Sequence, residues 1–220
     1  DRYYFTEKIG GKKCLKAVDP LTNSVTILAK DMPDEWFVIS PTEQYAIISP
    51  KSEGTKKEEG VFEIIHPDDR QPGWRTRYSL ARYDFGTGLT QPLTYSYRHV
   101  SLSDISPDGR YLLFSVATDT LQQRPTTRST YYELDMETMQ TRTLVERDGF
   151  IGSATYCGSR DLVAFSASTE AFGGIGNRVP EGQTPNMFDY HLYLMDTQTL
   201  KVTPVTADDA TSIEDVEWSA

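Results

Sequence analysis

The stretch Ile105-Ser106-Pro107-Asp108-Gly109-Arg110-Tyr111-Leu112-Leu113-Phe114-Ser115 decides how this chain is read. An apolar strand ends at Ile105, a polar turn follows, and a second apolar strand begins at Tyr111. Proline presets φ and glycine accepts positive φ, so Ser-Pro-Asp-Gly suits a hairpin between antiparallel strands. The arrangement recurs. Trp36-Phe37-Val38-Ile39-Ser40-Pro41 is followed by Tyr45-Ala46-Ile47-Ile48-Ser49, and Thr155-Tyr156-Cys157 by Leu162-Val163-Ala164-Phe165-Ser166. A truncated copy closes the sequence at Val216-Glu217-Trp218-Ser219-Ala220. Alignment on Ser40, Ser106, Cys157 and Ser219 gives spacings of 66, 51 and 62.

A second motif lies between these copies: an apolar strand ending in Asp, with Thr three residues on. It occurs at Asp19/Thr22, Asp84/Thr87, Asp135/Thr138 and Asp196/Thr199, and its Asp positions are 65, 51 and 61 apart. Two independent motifs keep one irregular period to within a residue, which chance does not explain. Each unit holds four short strands, a to d. The Asp opening each c–d turn can accept backbone N–H bonds two or three residues on. Strands b are nearly continuous apolar runs, as expected where both sheet faces are covered. Gly152, Ser153 and Ala154 in strand a of the third unit suit a crowded inner position near a central axis.

Four-stranded units at this spacing predict an all-β fold, a β-propeller of antiparallel blades with insertions. The expected blades cover about 35–94, 101–145 and 151–206, with partial blades at 1–30 and 213–220. Three complete and two partial blades predict part of a larger propeller.

Composition bounds the function. The 220 residues include 22 Lys+Arg and 32 Asp+Glu, a formal charge of −10. An acidic surface repels phosphate backbones, which argues against nucleic acid and anionic membranes as partners. Apolar residues reach 38%, enough for a globular core and too many for disorder. No apolar run approaches the ~20 residues of a membrane span, so no membrane insertion is expected. Cys14 and Cys157 sit in apolar strands and read as buried thiols rather than a disulfide or metal pair. Asp1-Arg2-Tyr3-Tyr4-Phe5 shows neither an initiator Met nor a basic region before an apolar one. Either a signal segment has been removed or the chain comes from something longer.

The a–b and c–d turns are short, whereas the b–c connections are long: Pro50 to Arg77, Thr118 to Ser129, and Thr169 to Tyr190. In a propeller these fall on one face, and a decorated face either carries binding or packs on neighbouring blades or a second domain. The first insertion opens with a solvated mixed-charge run, Lys51 to Glu59. The third contains Glu170-Ala171-Phe172-Gly173-Gly174-Ile175-Gly176-Asn177, whose glycines fail as a dinucleotide fingerprint and read as a flexible or tightly turned loop.

No nucleophile elbow, phosphate-binding loop or His-Glu-x-x-His zinc site occurs. No catalytic residue, metal site or cofactor is therefore expected in these residues. His66, His99 and His191 stand apart and read as structural or surface histidines.

The stretch 106–114 resembles the propeller repeat of Tol-system propellers and of prolyl oligopeptidase family serine peptidases. Residues 67–84 and 168–177 look like insertions in bacterial members of the dipeptidyl-peptidase branch. The resemblance implies a periplasmic or secreted protein in which the propeller precedes an α/β-hydrolase domain bearing a Ser-Asp-His triad. It implies that the propeller caps that domain, admits short peptides and binds the substrate's free amino terminus. Glu170 is then the candidate for the substrate ammonium and Arg75 for the substrate carbonyl. A second adjacent Glu is missing, which leaves endopeptidase or acyl-aminoacyl-peptidase activity open. The alternative class is a stand-alone periplasmic interaction propeller. A third, a sugar-processing lyase, needs an array of metal-binding histidines that this chain lacks.

Overall fold

The computed structural model describes residues 2–53, 76–120, 122–176, 188–206, 212–213 and 216. The chain divides into two compact units, Asp1–Tyr97 and Arg98–Ala220.

The first unit contains a three-stranded antiparallel sheet of β1 (Tyr3–Ile9), β2 (Lys12–Val18) and β3 (Val25–Ala29). Gly10 and Gly11 join β1 to β2 with φ of +58° and +85°, the two left-handed residues that a tight hairpin of this twist needs. Beside it lies a four-stranded sheet of β4 (Phe37–Ile39), β5 (Tyr45–Ile48), β8 (Ala81–Asp84) and β9 (Thr90–Pro92). A short ladder of β6 (Lys51–Ser52) and β7 (Arg77–Tyr78) closes the root of the first insertion. Leu15, Ala46, Ile48, Ala81 and Tyr83 form a shared core between the two larger sheets. The Tyr83 hydroxyl fixes their spacing by donating to the Asp31 carbonyl at 2.6 Å.

The second unit holds two four-stranded antiparallel sheets. One is β10 (Val100–Ile105), β11 (Tyr111–Asp119), β12 (Thr127–Asp135) and β13 (Gln140–Asp148). The other is β14 (Ile151–Tyr156), β15 (Leu162–Ser168), β16 (Tyr190–Asp196) and β17 (Val202–Pro204). Leu113, Tyr131 and Leu144 of the first pack on Ala154, Val163, Phe165 and Tyr193 of the second. Asp104 ties the two leading strands together, its carboxylate accepting from Thr155 Oγ1 at 2.6 Å and Tyr156 N at 2.8 Å.

The four Asp residues singled out by spacing occupy equivalent c–d turns. Asp19, Asp84, Asp135 and Asp196 each accept the N–H of the Thr three residues on, at 3.2, 2.8, 3.3 and 2.8 Å. Each also offers its carbonyl to the residue four on, at 2.8–2.9 Å. That fourth residue is Asn23, Gly88, Met139 or Leu200, left-handed in every copy with φ of +55° to +71°. The a–b turns repeat as faithfully. Ser40, Ser106 and Cys157 donate N–H bonds to the carbonyls of Tyr45, Tyr111 and Leu162 at 2.9–3.0 Å.

Two expectations are corrected. The connection Thr118 to Ser129 is not an open insertion: β11 and β12 continue to the pair Asp119↔Thr127. Alternating β-branched residues (Thr118, Thr120, Thr126, Thr130) sustain the ladder there. Of the three small residues expected at a crowded inner position, Ala154 is buried but Gly152 and Ser153 are exposed. What limits side-chain size at Gly152 is its own sheet, since an added Cβ would lie 3.3 Å from the Tyr190 ring. The partial blade at 213–220 falls mostly outside the described residues, and no strand is assigned at Ile213 or Val216.

Candidate functional site

Glu170 stands where β15 gives way to the third b–c connection, on the lip of a short 3₁₀ turn, Ala171–Gly173. The turn is locked from beneath. Phe172 has φ of +54°, uncommon for an aromatic residue, and its N–H donates to Asp148 Oδ2 at 2.7 Å. Its ring meets those of Phe165 and Tyr193 at 5.3 and 5.2 Å between centroids. The backbone then runs so close to the sheet that a Cβ on Gly176 would lie 2.1 Å from the Tyr193 hydroxyl. The glycine-rich stretch is therefore tightly turned. Glu170 itself is half-buried and makes no side-chain hydrogen bond to cap the turn.

Arg75, the other residue assigned by resemblance, lies outside the described residues, as does His66. Of the remaining histidines, His191 is buried with Nδ1 3.0 Å from the Thr206 carbonyl, a structural role. Among the described residues no group of three or more His, Cys, Asp or Glu is placed to hold a metal ion. Cys14 and Cys157 are both free and buried, and burial pushes the Cys157 thiol up to about 11. Neither is poised as a nucleophile.

At the opposite, turn end of these blades lies a buried ion cluster. Glu133, 2% exposed, accepts from Arg142 Nε at 2.6 Å and from Arg160 Nη2 at 2.8 Å. The Tyr156 hydroxyl donates to its other oxygen at 3.0 Å. Arg160 also lies over the Tyr111 ring, 4.3 Å from its centroid. Burial alone would raise the Glu133 carboxyl, but the hydrogen bonds and charges of the two arginines outweigh it and hold it below the usual range. This cluster clamps the two sheets of the second unit. Sequence spacing gave no signal for it, because Glu133, Arg142 and Arg160 come from three segments.

Sequence reading also missed a cavity of about 410 Å³ on the sheet β10–β13, lined by Arg98, Val116, Thr118, Thr130, Tyr132, Thr143, Glu146 and Arg147. Each of its strand residues belongs to another motif-free stretch, so only pairing brings them to one face.

No family model and no curated protein matches the sequence at a significant level. Solved structures do. The uncomplexed acylaminoacyl peptidase of Pyrococcus horikoshii aligns with a TM-score of 0.55 at 12% identity, covering 94% of this chain and 30% of that one. The tricorn protease aligns with a TM-score of 0.53 at 9% identity, covering 89% and 17%. The fold is a β-propeller of four-stranded antiparallel blades. TolB of Acinetobacter baumannii also aligns, with a TM-score of 0.49 and 13% identity over 87% of this chain and 37% of that one. The chain thus spans well under half the length of each of these proteins. Among its described residues no helix is long and apolar enough to cross a membrane.

Proposed function

We propose that these blades belong to a serine peptidase, where they cover an α/β-hydrolase domain and admit short peptides to it. The propeller likeness to an acylaminoacyl peptidase and a protease supports the peptidase frame. Glu170 carries the recognition role in this reading. Glu170 is half-buried at the b–c end of the blade, on a turn locked by the Phe172 N–H bond to Asp148, and its side chain does not cap that turn. A carboxylate so held meets a substrate ammonium without first giving up a protein partner, and the contact gains from partial exclusion of water. Arg75 would present its guanidinium fork to the substrate carbonyl. Periplasmic or secreted location belongs to the same reading and follows from the family resemblance.

The test is Glu170→Gln in the full-length protein, assayed on matched peptides with free and acetylated amino termini. We expect kcat/KM on the free peptide to fall about tenfold to a hundredfold, with the acetylated peptide unaffected. Equal loss on both, or none, removes Glu170 from recognition. A preference for the acetylated peptide points to acyl-aminoacyl chemistry instead. A full-length sequence without a Gly-x-Ser-x-Gly elbow overturns the peptidase reading in favour of a stand-alone interaction propeller.

A further inference from the structure

The cavity on the sheet β10–β13 is built from the face opposite the inter-sheet core. Register places Val116 opposite Thr130 and Tyr132 opposite Thr143, with Thr118 two residues further along the same face. The half-buried Val116, Thr118, Thr130 and Tyr132 form its floor, and the exposed Arg98, Glu146 and Arg147 stand at its rim. Tyr132 is held flat by stacking on Phe114, the centroids 5.3 Å apart and the planes at 22°. At about 410 Å³ the space suits a small ligand rather than a single water.

The rim is shaped by a backbone device. Between the pairs Ser129↔Asp148 and Tyr131↔Val145, β13 contributes one residue more than β12, a bulge over Glu146 and Arg147. Arg147 has φ of +50°, and its N–H donates to Thr130 Oγ1 at 3.2 Å. Bulges re-aim side chains, and a non-glycine residue kept left-handed carries a conformational cost that neighbours must hold in place. Here the outcome is a guanidinium delivered to the cavity rim at the end of the sheet that carries the β11–β12 hairpin, with Nη2 3.5 Å from Thr120 Oγ1. Among the described residues the lining carries two arginines and one glutamate, in a chain of formal charge −10.

We propose that this cavity is a carboxylate-binding subsite for a short peptide. Arg147 and Arg98 engage the carboxylate, the Thr118 and Thr130 hydroxyls bond the adjoining backbone, and the Tyr132 ring supports a side chain. A guanidinium offers paired donors matched to two carboxylate oxygens, which a neutral amide cannot use equally. That the ligand is a peptide rests on the proposed function; that it is a carboxylate rests on the cavity alone.

Binding is measured by calorimetry on the full-length protein. The probes are trialanine, trialanine amide, and an acetylated, amidated tripeptide with a central aspartate. The free acid should bind about tenfold or more tightly than its amide. Arg147→Gln should erase that difference, with the far-ultraviolet spectrum and thermal midpoint reporting an intact fold. Arg98→Gln gives the same reading without disturbing the bulge. Tight binding of the aspartate peptide assigns the carboxylate to a side chain, and its weak binding assigns it to the chain end; both support the site. Equal affinity for acid and amide, no binding at millimolar peptide, or inorganic phosphate competing as well as the acid overturns it. Any of these leaves the hydrolase-capping reading standing, since that is read from turnover in the full-length protein.

Discussion

Strands β1 and β15 are both seven residues long and meet opposite fates. β1, Tyr-Tyr-Phe-Thr-Glu-Lys-Ile, is exposed at every position, with Tyr3 at 70% and Phe5 at 42%. β15, Leu-Val-Ala-Phe-Ser-Ala-Ser, is buried at six of seven positions, its two serines at 3% and 0%. Hydrophobicity does not explain this, because the more aromatic strand is the more exposed. Position does. β15 is paired on both edges and packed on the core shared with β10–β13, whereas β1 is an edge strand of a three-stranded sheet. In a repeat fold, burial is conferred by neighbours on each side of a blade, so the same strand role has different energetic weight in different copies.

The largest effect expected from this contrast is between two phenylalanines. Phe165→Ala in β15 should cost about 3–5 kcal/mol through lost transfer energy and a cavity, whereas Phe5→Ala in β1 should cost under about 1 kcal/mol. Urea denaturation of both variants checks it. Similar losses would mean that β1 is covered in solution.

The clamp that holds β15's sheet in place comes next. Glu133→Ala strands two arginines, and we expect a loss of about 3 kcal/mol, the lower end for a broken buried pair because both arginines keep some contact with water. Glu133→Gln adds a pH signature. The Glu133 carboxyl is depressed below its usual value near 4.5. Its contribution is therefore complete above that value and is lost as pH falls through the depressed one. The wild type should destabilise more steeply than Glu133→Gln in this acid range. Parallel curves would show that the carboxylate's charge is not what joins the sheets.

The smallest effect comes from the turns that both kinds of blade share. Leu200 is left-handed and 42% exposed, so Leu200→Gly relieves backbone strain at little loss of packing. We expect a gain of about 0.5–1 kcal/mol, read as a raised thermal midpoint. A loss would show that the Leu200 side chain packs in solution.

The blades were legible because the a–b and c–d turns are local. Asp, Thr and Ser act within five residues of themselves, so spacing alone placed Asp19, Asp84, Asp135 and Asp196 at equivalent turns. The same reading went too far at Thr118 to Ser129, where a polar stretch passed for an insertion but continues the ladder. Glu170 was put forward as a candidate by resemblance and by its position ahead of a glycine run. The lock beneath it was not, because Asp148 and Phe172 lie 24 residues apart and carry no motif.

Sequence alone determined the repeat, the all-β architecture, the position of the turns, the acidic charge and the absence of recognisable triad motifs, all properties carried by short-range patterns or sums. Tertiary structure decided which residues meet. Only the packing of two sheets gathers Glu133, Arg142, Arg160 and Tyr156 into one buried cluster. Only strand register and a one-residue bulge bring Thr118, Thr130, Tyr132 and Arg147 around one cavity. Contacts between distant segments depend on which faces meet, and a face is fixed by register, which a single-residue slip would reverse.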